Sequence, residues 1–234
     1  MFDSNILTFL GIGFVLGLRH ALDADHLAAV STVLAERPSV RASGLVGLWW
    51  GVGHTTTLMI AGIIVLASGI QIPKPFEWYA ESAVGVLLIV LGVTLAWKLS
   101  RERWHVHSHQ HDGARHLHLH SHRRQDDHAH EHWTARSLRP LLIGMAHGVA
   151  GSAALMLMVA SSADGFIQGV LYIALFGIGS IVGMMAIGLT LSLPVVWSLT
   201  AGRRMFSAVQ GFASLASVGF GLWMLYRLLF TGGE

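Results

Sequence analysis

Cysteine is absent from the 234 residues of the chain. Disulfide bonds and thiolate metal sites are therefore excluded, and a bound metal ion would need imidazole, carboxylate, thioether or backbone oxygen ligands. Charged residues are also scarce, at 12% of the chain, which is about half their share in a soluble domain. Because 53% of the residues are hydrophobic and the mean hydropathy is +0.58, this deficit indicates an integral membrane protein.

Six apolar stretches are long enough to cross a bilayer, since a spanning helix needs about 20 residues. The first stretch contains charged residues and histidines at membrane depth, so we predict that its helix is broken. It begins with the acidic Asp3 and has no small-residue cleavage site, so we expect it to stay in the mature protein. The predicted spans are residues 5–35, 44–70, 78–99, 138–161, 166–191 and 205–230.

The two halves of the chain contain a weak internal repeat. GLRHA at 17–21 matches GMAHG at 144–148 with an offset of 127, and WGVGH at 50–54 matches FGIGS at 176–180 with an offset of 126. The end of the third span matches the end of the sixth with an offset of 129. Copies with three spans each would lie in opposite orientations, as in many transporters. The sequence predicts an all-α membrane protein with two inverted three-helix repeats, 1–99 and 138–234, joined by a histidine-rich loop at 100–137.

Positive charges are concentrated in alternate loops. The loop after the first span has Arg37 and Arg41, the histidine-rich loop has six arginines, and the loop after the fifth span has Arg203 and Arg204. Cytoplasmic loops of membrane proteins carry such an excess. We therefore expect a multi-pass protein of the cell (inner) membrane, with both termini outside and the histidine-rich loop in the cytoplasm.

The strongest local pattern is the octapeptide Arg-His-Ala-Leu-Asp-Ala-Asp-His that begins at Arg19. Its two imidazoles and two carboxylates are costly within a membrane span unless they are paired or bind a metal ion, and they suit nickel, cobalt, zinc or copper. A straight helix cannot direct all four groups at one ion, so we expect local unwinding. The alternative is an Arg19–Asp salt bridge with both histidines bonded to neighbouring helices. The four groups are His20, Asp23, Asp25 and His26.

Two further histidines follow or adjoin glycine-rich segments. His54 directly follows Gly51-Val52-Gly53, where another helix can approach closely, and the cluster at residues 20–26 favours a metal-ligand role for it. A single histidine bonded to a neighbouring backbone is the alternative. His147 is the repeat mate of His20 but lacks the acidic partners. It is interpreted either as a further ligand or gate, or as a packed histidine without such a role.

The loop between the halves holds eleven histidines, many at alternate positions. This composition predicts a flexible, disordered metal-binding tract. A pH sensor and a linker without a required role are the alternatives. These residues are His105, His107, His109, His111, His116, His118, His120, His122, His128, His130 and His132.

The octapeptide resembles the His-x4-Asp-His signature of the nickel/cobalt transporter family, which are secondary permeases for those ions. Gly53-His54-Thr55-Thr56 is similar to the second motif of that family. The resemblance implies that His20, Asp25, His26 and His54 bind the ion. The six-span form resembles a short branch that is labelled as a urease accessory membrane protein, which would connect the ion to nickel supply and to nickel-enzyme maturation proteins.

The resulting hypothesis is uptake of Ni²⁺ or Co²⁺ into the cytoplasm, with the ion as substrate rather than cofactor. Efflux is one alternative, because six spans with a cytoplasmic histidine tract also resemble nickel/cobalt exporters. A membrane metallochaperone that binds nickel without transporting it is another. No nucleophile–base pair, ATP-binding motif or nucleic-acid-binding surface is recognisable in the sequence, so we expect neither an enzyme nor a nucleic-acid-binding protein. The sequence makes no prediction of oligomeric state.

Overall fold

The computed structural model describes residues 4–36, 39–69, 73–101, 105–111, 114–120, 133–148, 163 and 165–230. These residues form seven α-helices and one antiparallel pair of strands. The helices are α1 Ser4–His20, α2 Ala24–Ala35, α3 Val40–Ser68, α4 Lys74–Arg101, α5 Trp133–His147, α6 Phe166–Thr200 and α7 Arg203–Phe230, and the strands are β1 His105–His111 and β2 Ala114–His120.

Four of these helices, α3, α4, α6 and α7, are long and apolar enough to cross a membrane, and α1 with α2 makes a fifth span if the bent pair is counted as one. The predicted helical, multi-pass class is confirmed at this level. The predicted fourth span, 138–161, lies only partly within the described residues, because α5 ends at His147 and residues 149–162 are outside them. Six spans in two inverted repeats therefore remain a prediction.

The first span is broken, as predicted. α1 and α2 meet at an angle of 53°, with residues 21–23 between them. The N–H of Leu22 donates to the carbonyl of Arg19 (2.9 Å) and the N–H of Asp23 to that of His20 (3.0 Å), which closes the end of α1 in a tight turn. Asp23 then adopts an extended conformation and α2 begins at Ala24. The polar octapeptide is thus the point at which the chain changes direction.

Several helix ends differ from those predicted. α3 begins at Val40 rather than at residue 44, because the Ser39 side chain accepts a hydrogen bond from the N–H of Ala42 and caps the helix. It ends where Gly69 adopts a positive φ of 66°. α6 continues to Thr200 rather than ending at residue 191, and it includes Pro194. Apolar length predicts where a helix lies in the bilayer, but a helix ends where its backbone is capped.

The helices pack in pairs that bring distant parts of the sequence together. α3 lies against α5 and α6, α1 lies along α6, and α4 pairs with α7, while α2 contacts α7, α6 and α4. The backbones of these helices touch. A Cβ atom at Gly17 of α1 would overlap the carbonyl oxygen of Phe176 on α6, so only glycine permits this approach.

The histidine-rich loop contains a hairpin where we expected disorder. In the part of the loop that the structure describes, β1 pairs antiparallel with β2, with His105 opposite His120, His107 opposite His118 and His109 opposite His116. The structure describes these residues as a paired hairpin, and the flexibility of the loop stays a prediction. Histidine at every second position has the period of a β-strand, a signal that composition alone does not contain.

A partly buried carboxylate holds the end of α2 in place. Glu36, directly after α2, accepts hydrogen bonds from Arg139 Nη1 of α5 (2.6 Å) and Lys98 Nζ of α4 (2.9 Å). Gln210 Nε2 of α7 donates to the carbonyl of Ala35 (2.9 Å). Burial alone would raise the pKa of Glu36, but the bonds from Arg139 and Lys98 outweigh it and lower the pKa below its ordinary value. The short helix α2 is therefore fixed to three other helices at this end.

Replacing Glu36 with Gln should lower the free energy of unfolding in detergent by about 1–2 kcal/mol, because Arg139 and Lys98 lose their shared, partly buried partner. The difference from wild type should shrink as the pH falls below 4.5, the ordinary pKa of this carboxyl. A carboxylate with a lowered folded-state pKa stabilises the protein above that range and ceases to do so on protonation. Thermal unfolding at several pH values measures both effects.

Glu77→Gln is the matched control. Glu77 lies in the first turn of α4, and it forms no ion pair with any residue that the structure describes. It should cost no more than the loss of a favourable helix-dipole interaction, at most about 1 kcal/mol. Equal losses in the two variants would contradict a role for the Glu36 ion pairs.

Candidate metal centre

The bend between α1 and α2 brings two histidines of the octapeptide together. His20 is the last residue of α1 and His26 lies in the first turn of α2. Their rings are 4.6 Å apart between centroids, and the two side chains are 7% and 2% exposed. Unwinding at residues 21–23 turns α2 so that both rings face the same interior space. This is the local change that the sequence predicted.

His54 enters the same space from α3. Its Nε2 lies 2.9 Å from Nε2 of His20, and its ring centroid is 5.1 Å from that of His26. Gly53, the preceding residue, lies against the carbonyl oxygen of Leu141, so the backbone of α3 touches α5, the helix that ends at His147. The prediction that His54 points into a close helix contact is confirmed.

His147, the last residue of α5, is the fourth buried histidine. Its ring centroid lies 5.3 Å from that of His26, and the side chain is 1% exposed. Both ring nitrogens are buried, and the ring interacts with the backbone of Ile143, one turn earlier in α5. One backbone interaction engages at most one of the two ring nitrogens, so the other is buried without a partner among the described residues, which is unfavourable in a folded protein.

Two aromatic rings pack on His20 and His147. Neither aromatic residue was predicted from the sequence as part of the site. Trp50 of α3 lies 5.3 Å from the ring of His147, and Phe176 of α6 lies 5.5 Å from the ring of His20. The internal repeat contained the signal, because Trp50 is the mate of Phe176 and His20 is the mate of His147. Each histidine thus packs on the aromatic residue that the other half of the chain contributes.

Both aspartates of the octapeptide pair with histidines rather than with Arg19. Asp23 Oδ2 lies 2.8 Å from His20 Nδ1, and Asp25 Oδ1 lies 3.1 Å from His26 Nδ1. Asp23 is 46% exposed and Asp25 is 22% exposed. The cluster therefore contains carboxylate charge directly beside two of its four imidazoles.

Two groups of three residues, which share His26, have ligand atoms close enough together to hold a metal ion. Nitrogens of His20, His26 and His54 lie within 4.8 Å of one another, and so do ligand atoms of Asp23, Asp25 and His26. Metal–nitrogen bonds of about 2.0–2.1 Å place two nitrogens on one ion at most about 4 Å apart, so the rings need to shift only slightly. All six residues that the sequence predicted as candidate ligands belong to this one cluster.

The fold and the cluster together define a class: a multi-pass membrane protein with a buried imidazole–carboxylate site suited to a divalent transition metal ion. The family model of high-affinity nickel-transport proteins, NicO, matches residues 6–149 of the chain. The chain belongs to this family. The matched segment runs from α1 to just beyond His147, so it includes all four buried histidines.

Individual relatives agree with this assignment. The chain is 34% identical over 231 residues to the urease accessory protein UreH of Bacillus sp. (strain TB-90), a match that covers 98% of this chain and 95% of the relative. It is 31% identical over 83 residues to the high-affinity nickel transport protein of Cupriavidus necator, and 31% identical over 85 residues to the cobalt transport protein NhlF of Rhodococcus rhodochrous. These two matches cover 34% and 36% of this chain but 24% of each relative. No solved structure matches the chain.

Gly53→Ala tests the helix contact that places His54. The added methyl group would overlap the carbonyl oxygen of Leu141, so the free energy of unfolding should fall by about 1–3 kcal/mol. Gly211→Ala in α7 is the control, since nothing lies within 4 Å of its added Cβ, and it should stabilise the helix by about 0.5–1 kcal/mol. Thermal unfolding of both variants decides. A neutral Gly53→Ala would contradict the close contact between α3 and α5.

Proposed function

We propose that this protein is a secondary permease that carries nickel or cobalt ions into the cytoplasm. The observation that carries the proposal is the convergence of four buried histidines from four different helices, α1, α2, α3 and α5. We propose that the ion site is built from His20, Asp25, His26 and His54, with Asp23 and His147 as further members. Imidazole nitrogen gives affinity for Ni²⁺ and Co²⁺.

Charge balance supports this assignment of cargo. A divalent cation within a bilayer is unfavourable unless opposite charge lies next to it. Asp23 and Asp25 supply two negative charges beside the histidines, and the imidazoles can bind while neutral. These charges would balance the two positive charges of the ion. A balanced charge lowers the cost of holding the ion within the bilayer.

An inverted repeat is the proposed basis of transport, and contacts in the helix core support it. A Cβ at Gly17 would overlap the carbonyl oxygen of Phe176, and a Cβ at Gly144 would overlap that of Trp50. The repeat relates Gly17 to Gly144 and Phe176 to Trp50. The second contact is therefore the first with the two halves exchanged, which is expected from a pseudo-two-fold axis between the halves.

The pair α4–α7 has the same property. A Cβ at Gly85 would lie 3.3 Å from the carbonyl oxygen of Gly221, and a Cβ at Gly92 would lie 2.7 Å from that of Ser214. The offset of 129 between the third and sixth spans relates Gly85 to Ser214 and Gly92 to Gly221. Exchanging the two halves therefore converts the Gly85–Gly221 contact into the Gly92–Ser214 contact. Residue numbers in α7 fall from 221 to 214 as those in α4 rise from 85 to 92, so the two helices run antiparallel.

The direction of α5 supports a fourth span, and with it the alternating topology. Gly144 lies against the carbonyl of Trp50, and one turn further on Gly148 lies against the carbonyl of His54. Both helices advance together, so α5 runs parallel to α3 and starts on the same face of the membrane. Six alternating spans with both termini outside and the histidine-rich loop in the cytoplasm satisfy this direction and the distribution of arginines.

Inward transport needs no ATP-binding site in the chain. A doubly charged cation gains about 4–5 kcal/mol per 100 mV on moving to the negative side of a membrane. One relative, matched over 95% of its length, is named a urease accessory protein. Inward movement of nickel would supply the metal to a urease. Rocking of the two halves about the histidine cluster would expose the ion alternately to each side.

Purified protein in liposomes with an inside-negative potential should accumulate Ni²⁺ and Co²⁺, and His26→Ala should reduce uptake to the level of empty liposomes. Removing the His26 ring leaves Asp25 without its partner and takes one of the central nitrogens from the site. Radioactive nickel or an enclosed metal-sensitive dye measures the initial rate. Manganese is the comparison ion, because it prefers oxygen ligands, and it should enter more slowly.

His118→Ala is the matched control, since it removes a histidine of β2 in the loop between the two halves, and uptake should persist. Uptake only against an outward proton gradient would replace uniport with exchange and favour efflux. Binding of nickel without any movement across the membrane would contradict the permease and favour a metallochaperone.

A further inference from the structure

The hydrogen bonds of the cluster determine which nitrogen of each histidine is available to a metal ion. His20 and His26 both use Nδ1 to bond a carboxylate, at 2.8 Å to Asp23 and 3.1 Å to Asp25. An ionised carboxylate can only accept, so Nδ1 carries the proton in both rings. The lone pair of each neutral ring then lies on Nε2, because the partner of one nitrogen fixes the role of the other.

Both Nε2 atoms belong to the interior of the cluster. His26 Nε2 is buried and has no hydrogen-bond partner among the described residues. His20 Nε2 faces Nε2 of His54 at 2.9 Å. Since Nδ1 of His20 carries the proton, His20 Nε2 accepts a hydrogen bond from His54 Nε2, which a bound ion would replace. The ring of His26 packs against both of these rings, and the carboxylates lie at the Nδ1 atoms of His20 and His26.

We propose that Asp23 and Asp25 are positioning residues and not metal ligands. Each holds the Nδ1 proton of one histidine, so that Nε2 of His20 and Nε2 of His26 bind the ion and the protein ligands are imidazoles. This inference deepens the proposed function and rests on it. It changes the role of Asp25, which the family signature implies as a ligand.

Carboxylate–histidine–metal arrangements have known effects on a site. The carboxylate fixes the tautomer and orientation of the ring and makes Nε2 a better donor, and its loss lowers metal affinity by about 10- to 100-fold. The two aspartates should not contribute equally. Asp25 is half as exposed as Asp23, at 22% against 46%, and a charge shielded from water acts more strongly on its neighbour. Loss of Asp25 should therefore have the larger effect.

An imidazole coordination sphere also predicts selectivity. Nickel, cobalt and zinc accept nitrogen ligands readily, whereas manganese and magnesium prefer carboxylate and water oxygen. With the aspartates outside the coordination sphere, manganese has no protein oxygen to bind in the cluster. Excess manganese should therefore fail to displace cobalt.

The test uses the full-length protein in detergent with Co²⁺ as the probe, since its visible absorption reports the ligands directly. Asp25→Asn keeps an oxygen that accepts the Nδ1–H of His26. Its cobalt spectrum should match that of wild type while its affinity falls by about 10- to 100-fold. Asp23→Asn should show the same spectrum with a smaller fall. Glu77→Gln, a carboxylate outside the cluster, should change neither.

A shifted cobalt spectrum in Asp25→Asn would overturn the positioning role, because a directly bound oxygen would then have been changed. The wild type provides a second measurement that depends on no variant. Its Co²⁺-loaded form should show at least two exchangeable, paramagnetically shifted proton resonances, from Nδ1–H of His20 and His26, and their absence would also overturn the proposal. Uptake into liposomes distinguishes failure of the positioning role from failure of the proposed function. Cobalt uptake together with a shifted Asp25→Asn spectrum rejects the positioning role alone. A wild type that neither binds nor transports cobalt rejects the proposed function.

Discussion

Close backbone contact between helices is the constraint on which the rest of the structure depends. An imidazole is short, so rings from α1, α2, α3 and α5 meet only if the helix axes approach to the limit that the backbone allows. Gly17 lets α1 touch α6, and Gly53 and Gly144 let α3 and α5 touch each other, since a Cβ at each position would overlap a carbonyl oxygen of the neighbouring helix. The same contacts that bring the helices together therefore assemble the site.

The polar groups at this crossing are compatible with a membrane interior because they satisfy one another. His20 bonds Asp23 and His54, and His26 bonds Asp25. Nε2 of His26 and Nδ1 of His54 are buried and have no hydrogen-bond partner among the residues that the structure describes. At the far end of α2, Glu36 is held by cations from α4 and α5. The helix that carries Asp25 and His26 is thus fixed at one end by ion pairs and at the other by the cluster.

Much of the candidate site could be predicted from sequence, because polar groups in an apolar span are costly and usually functional. This reasoning identified the octapeptide, its unwinding, and His54. It could not predict that His20 and His54 share a hydrogen bond, since that depends on how two separate helices cross. Glu36 and its partners were missed for the same reason, although the repeat could have revealed Phe176. Helix ends such as Ser39 depend on local capping, which hydropathy does not record.

The central claim is that one metal ion binds where the four histidines converge. The most direct test is anomalous X-ray diffraction at the nickel absorption edge from crystals of the protein grown with Ni²⁺. The account predicts a single strong peak within about 2.1 Å of ring nitrogens from His20, His26 and His54. Nickel found only on the histidines of residues 105–132, with His20 and His54 still hydrogen-bonded to each other, would contradict it.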